Sequence, residues 1–191
     1  MTAPYPQLPF PRGKTYSQGV YTPTATDGAN LEGKRFTVPD ERNPGGEKVL
    51  MVVRNGNSDV TVAKKVVGFS ALGTKALNGA WLATSGGIGK PIDDAYPDGM
   101  TIKAYDLFYV VDEGVALVGK TTASGSGSSS SSSSSSSAAS STISAGDKVY
   151  ANASGLIDKT VSSGYVVGAA YATAQESDAT VQVMVGPGLG R

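Results

Sequence analysis

The sequence predicts an all-β protein, an antiparallel β-sandwich or barrel of short hairpins with an extended N-terminal arm. Three observations carry that prediction. Short valine-rich runs recur along the chain, several with alternating polar neighbours, the period of a half-buried strand. Most of the 25 glycines fall where turns between such runs are expected. No amphipathic helix of useful length is visible, and residues 70–80 hold the one short candidate.

Residues 1–45 read as the arm. Pro4, Pro6, Pro9 and Pro11 alternate with Tyr5, Leu8 and Phe10. Each proline fixes φ, removes a donor and pushes the residue before it toward extended geometry. The segment is therefore stiff, extended and studded with apolar side chains, and Tyr16, Tyr21 and Phe36 continue the spacing. A disordered tail is the plainer reading, but such tails are poor in aromatics. An arm laid on a neighbouring subunit gives Tyr5, Leu8, Phe10, Tyr16 and Tyr21 somewhere to go.

Residues 46–191 read as a single β domain. The run "EKVLMVVRNGNSDVTVAKKVVGFS" predicts a hairpin turning at Asn55-Gly56, a strong short-range hairpin signal. A strand through Trp81 follows, with that side chain in the core or at an interface, and then a glycine-rich turn. Further strands are expected at 103–111, 114–121, 147–151, 156–161, 165–172 and 179–185. The closing "GPGLGR" is too rich in glycine and proline to be regular.

Two stretches repeat at an offset of 41 residues without gaps: "IKAYDLFYVVDEGV" at 102–115 and "ISAGDKVYANASGL" at 143–156. Asp106 falls on Asp147, Tyr109 on Tyr150 and Gly114 on Gly155. An aspartate can cap a turn through its side chain, and a glycine can supply positive φ. The pattern predicts two similar hairpins, each with a turn closed by the glycine. Between them lies a serine-rich stretch, 124–142, with an unbroken run of serine from Ser128 to Ser137. Such a run has no hydrophobic period. It reads as a solvent-facing loop inserted in one domain, because residues 143–191 are too few to hold a core comfortably alone. Fixing its backbone costs about 1–2 kcal/mol per residue, so an ordered tract requires confinement by neighbouring copies.

Composition narrows the function. The 16 basic and 16 acidic side chains cancel, and no basic block offers a footprint for nucleic acid. No apolar run is long enough to span a membrane, and the first residues lack the core of a signal peptide, so the chain is expected in the cytoplasm when made. Cysteine and histidine are both absent, which removes disulfides, thiolate metal sites and the commonest general base. "TSGGIGKP" at 84–91 misses the phosphate-loop pattern at both ends. Asp94, Asp98 and Gly99 match three positions of a calcium loop, but Tyr96 and Tyr105 stand where ligands are needed. Asn152 opens a glycosylation triplet that means nothing without secretion. Asp112 and Glu113 are adjacent carboxylates expected at a hairpin tip, a poor acid–base pair. No catalytic, cofactor or metal site is expected.

Residues 145–185 resemble the C-terminal motif of bacteriophage capsid decoration (cement) proteins. The similarity is carried by Ala145, Gly146, Asp147, Val149, Tyr150, Gly155, Val167, Gly168, Ala170, Val181, Val183 and Val185. The 49–70 stretch is similar to the opening hairpin of such proteins. The resemblance implies a non-enzymatic head-stabilisation protein on the capsid exterior, made in the host cytoplasm. It implies the major capsid protein and, as a homotrimer, the chain itself as partners. The arm and the serine insertion depart from the simplest version of that family. A virion-surface adhesin or fibre-base module binding a glycan or host receptor is the alternative.

Overall fold

The computed structural model describes residues 7–17, 31–56, 58–64, 66–69, 76–77, 88–121, 142–152, 154–159 and 165–186. Tyr5, Tyr21, Trp81 and the serine tract lie outside the described residues. The elements among those described are twelve β-strands: β1 Arg35–Pro39, β2 Glu47–Arg54, β3 Val60–Thr61, β4 Val66–Phe69, β5 Ala76–Leu77, β6 Ile88–Pro91, β7 Thr101–Ile102, β8 Leu107–Gly119, β9 Lys148–Ala151, β10 Ile157–Asp158, β11 Tyr165–Ala170 and β12 Thr180–Val185. The protein is all-β, as the alternating runs predict.

Seven strands form the main antiparallel sheet in the order β1-β2-β8-β12-β11-β9-β10. β3 pairs with β7, and β4 lies between β5 and β6. The long strand β8 organises the rest. Its first half, from Leu107, pairs with β2, and its second half, from Gly114, pairs with β12. The change of partner falls at a bulge, where Val49 faces Glu113 but Leu50 faces Val111. Gly114 follows with a φ of 110°. A Cβ there would lie 2.4 Å from that of Lys48. Only glycine combines this backbone with so close an approach.

Beyond the bulge the sheet closes on itself. Lys120, just past β8, donates its N–H to Ala179 beside β12, while Thr121 donates to Ile157 of β10. A parallel bridge joins Lys120 and Ile157. Pairing therefore runs from β8 through β12, β11, β9 and β10 back to the end of β8, a small closed barrel. β12 shows why this sequence suits it: Val181, Val183 and Val185 are buried, and Thr180, Gln182 and Met184 are half-buried. Gly168 of β11 meets β12 at a spot where a Cβ would stand 2.0 Å from the Met184 carbonyl oxygen.

Several local expectations are corrected. Asn55-Gly56 does not turn a hairpin, because β2 pairs with β1 and β8, and β3 pairs with β7. Asn55 is buried instead, and its amide donates to the carbonyls of Ser58, Ile102 and Lys103. The two strands expected at 103–111 and 114–121 are one continuous strand, so Asp112 and Glu113 lie within it and not at a tip. The sheet also reaches into the segment read as an arm, since β1 pairs with β2 along its whole length.

Candidate functional site

Two features hold the chemistry-bearing side chains: the docking of residues 7–17, and the pair of repeated turns.

The N-terminal segment lies against the edge of β8 that β2 leaves open. Tyr16 and Leu107 exchange both backbone hydrogen bonds, at 2.9 and 3.1 Å. Farther along, Asp93 donates its N–H to the Tyr109 carbonyl, and the Tyr96 hydroxyl accepts the Tyr109 N–H at 3.0 Å. The same hydroxyl donates to the Lys14 carbonyl at 2.8 Å. Tyr96 thus substitutes for a strand at this edge and fastens the segment to it. Burial pushes its pKa up, so the hydroxyl stays a donor at any ordinary pH. Tyr109 has its pKa pushed up to about 12, chiefly by burial. Of the residues expected on a neighbouring subunit, Phe10 is buried in this chain's own core, and Leu8 and Tyr16 pack partly buried against it.

Beside the segment lies a buried ion network that the sequence reading did not single out. Arg12 grips Asp93 with two hydrogen bonds, Nε to Oδ2 at 2.9 Å and Nη2 to Oδ1 at 2.7 Å, and reaches Glu41 at 2.5 Å. Lys48, fully buried, lies 3.0 Å from Asp94 and 3.5 Å from Asp93. Arg42 closes the far side with a 2.7 Å bond to Asp94. The three cations and three carboxylates of this network balance, the condition under which buried charge is tolerated. Burial disfavours the Asp94 carboxylate, but Lys48 and Arg42 outweigh it and hold its pKa below the usual range. Strand parity alone does not mark Lys48, because both faces of β2 are apolar, Leu50 and Val52 on its own parity and Val49, Met51 and Val53 on the other. Asp94 and Asp98 are engaged by cations, Asp98 by Lys64. Among the described residues no cluster of metal-ligating side chains forms.

The repeated turns match closely. Asp106 donates its N–H to the Lys103 carbonyl, and Asp147, at the same offset, donates to that of Ser144. The third residue of each turn has positive φ, 66° at Tyr105 and 88° at Gly146. β8 and β9 then begin at equivalent positions, Leu107 and Lys148. Asp106 accepts the Ser17 hydroxyl at 2.7 Å, whereas Asp147 caps its own turn through Ser144 N–H and pairs with Lys159. The copies part at the glycine. Gly155 turns β9 into β10 as expected, with Tyr150 facing Asp158, while Gly114 lets β8 run on through its bulge with Tyr109 in the core. Comparison with protein-family models, with curated proteins and with solved structures finds no match for this chain.

Proposed function

We propose that the chain is a non-enzymatic structural protein of a virion that binds the outer surface of a bacteriophage capsid and stabilises it. One observation carries the reading: the residues that bear the resemblance to decoration proteins form one continuous part of the barrel. Gly155 turns the β9–β10 hairpin, Gly168 permits the close approach of β11 and β12, and Val181, Val183 and Val185 point inward. These residues belong to one folded unit, and that is what supports the reading. The buried carboxylates Asp93, Asp94 and Asp112 are each engaged by cations, and Asp40 and Asp106, also buried, accept hydrogen bonds from the Val115 N–H and the Ser17 hydroxyl, which supports a structural use for them. On this reading the partners are the major capsid protein and further copies of the chain as a homotrimer.

The test is sedimentation of the purified protein with empty shells, followed by thermal disruption of the shells with and without it. Co-sedimentation and a raised disruption temperature are expected. Shells that neither retain the protein nor gain heat resistance would overturn the proposal. Binding to host cells or glycans with unchanged shell stability would move the assignment to an adhesin.

A further inference from the structure

We infer that Asn55 is a deamidation site governed by folding: it reacts in the unfolded chain, is shut in the native one, and once converted bars the chain from folding. Asn-Gly is the dipeptide at which this reaction is easiest, because glycine has no side chain to hinder its own nitrogen. The Gly56 nitrogen attacks Asn55 Cγ and loses its proton, the Cγ–Nδ2 bond breaks, and ammonia leaves with that proton. Water then opens the succinimide at either carbonyl, to an aspartate or to an isoaspartate whose main chain runs through Cγ.

The native fold closes each step. Asn55 is fully buried, which keeps solvent from the amide. Its Oδ1 accepts the Gly56 N–H at 2.9 Å, so the nitrogen that would attack is already turned through its hydrogen toward the oxygen. Its Nδ2 donates to the carbonyls of Ser58, Ile102 and Lys103 at 3.0, 3.2 and 2.9 Å. These three oxygens hold the leaving nitrogen and have no proton to give it. The peptide itself is clamped on both sides: the Asn55 N–H donates to the Asp106 carbonyl at 2.8 Å, and the Gly56 carbonyl accepts the Tyr105 N–H at 3.0 Å. Ring closure therefore waits for the 102–106 turn to let go, a local opening with its own free energy.

The same contacts make the conversion irreversible for the fold. An ionised carboxylate accepts and does not donate, so in place of the amide it would face three carbonyl oxygens with nothing to offer them. Burying it there forfeits the three bonds and adds an uncompensated charge. The isoaspartate form adds a backbone atom between the two clamps and moves them out of register. Asn55 thus limits how long a chain can remain unfolded and still reach the native state.

The protein is held at mildly alkaline pH in buffer and in guanidinium chloride, and conversion is read by mass spectrometry on the tryptic peptide that begins at Asn55. Conversion in buffer is expected to be slower by about a hundredfold or more; equal rates would overturn the gating. Chains aged in denaturant to partial conversion are then diluted into buffer. The native fraction, isolated by size exclusion, is expected to retain Asn55, with converted chains left unfolded or aggregated. Converted chains in the native fraction at the proportion of the starting mixture would overturn the barrier to folding. Asn55→Asp isolates that barrier from ageing elsewhere in the chain. The variant is expected to melt well below the wild type or to fail to fold, and a melting temperature equal to wild type would overturn the barrier.

Discussion

Phe10 lies nearly flat on Tyr109, ring centroids 4.3 Å apart, while the Tyr109 hydroxyl donates to the Phe10 carbonyl at 2.7 Å across 99 residues of sequence. The contact makes the N-terminal segment part of the fold. Phe10→Ala is expected to cost about 3 kcal/mol, the usual loss for emptying a buried phenylalanine site, read as a lower urea midpoint with little change in slope. An unchanged midpoint would show the segment to be dispensable.

Arg12 and Asp93 should behave as a unit. Arg12→Ala leaves a buried carboxylate short of its bidentate partner, and about 3 kcal/mol of stability should go with it. Asp93→Asn should be costly too, because Arg12 then keeps only Glu41 and a 3.6 Å approach to Asp94. The double variant should lose much less than the sum of the two, which a double-mutant cycle measures directly.

Acid should undo the protein from its paired carboxylates. Burial opposes the charged form of Asp112, but Lys90 and Arg35 prevail and lower its pKa, as Lys48 and Arg42 do for Asp94. A lowered folded-state pKa contributes stability that is complete above the unfolded value, about 4, and drains away as pH falls through the folded value. Stability should therefore be flat near neutrality with respect to these groups and fall below about pH 4. Asp112→Asn should weaken the protein at neutral pH and make the acid decline shallower, in denaturant titrations at a series of pH values.

Glycine substitutions discriminate between strain and collision. Gly146→Ala meets open space and should cost about 1 kcal/mol from backbone conformation alone. Gly168→Ala drives a Cβ against the Met184 carbonyl, a clash with backbone that cannot yield, and should cost about 3 kcal/mol or more. Equal losses at the two sites would contradict the described packing of β11 on β12.

The flanks of the serine tract are both anchored: Thr121 donates to Ile157, and Ile143 bridges Ala174. Replacing residues 126–139 with a short Gly-Ser turn should leave the melting temperature of the free protein unchanged. A large drop would make the tract part of the folded core.

Strand periodicity was legible in β9, β11 and β12, but β1, with Phe36 and Val38 on one parity, was read as part of the arm. Val181, Val183 and Val185 announce β12, and Asp147 with Gly155 announces the β9–β10 hairpin. What local letters do not carry is the choice of partner. Asn55-Gly56 and Gly114 have the chemistry of turns, yet the Asn55 amide bonds to carbonyls far along the chain, and Gly114 makes room for Lys48. Both outcomes depend on strands distant in sequence. The ion network was hidden for the same reason: Arg12, Lys48 and Asp93 look like solvated charges until the fold brings them together.

The position of β12 sets an order of events during synthesis. It is the last described strand to be made, yet it lies between β8 and β11, with a full antiparallel ladder to β8. Until residue 185 has left the ribosome, β8 and β11 each present an unpaired edge, the kind that recruits strands from other chains. Long-range pairing of this type is also slow. The nascent chain therefore carries two open edges until β12 arrives, and slower synthesis of that last stretch should lengthen its exposure to pairing with other chains.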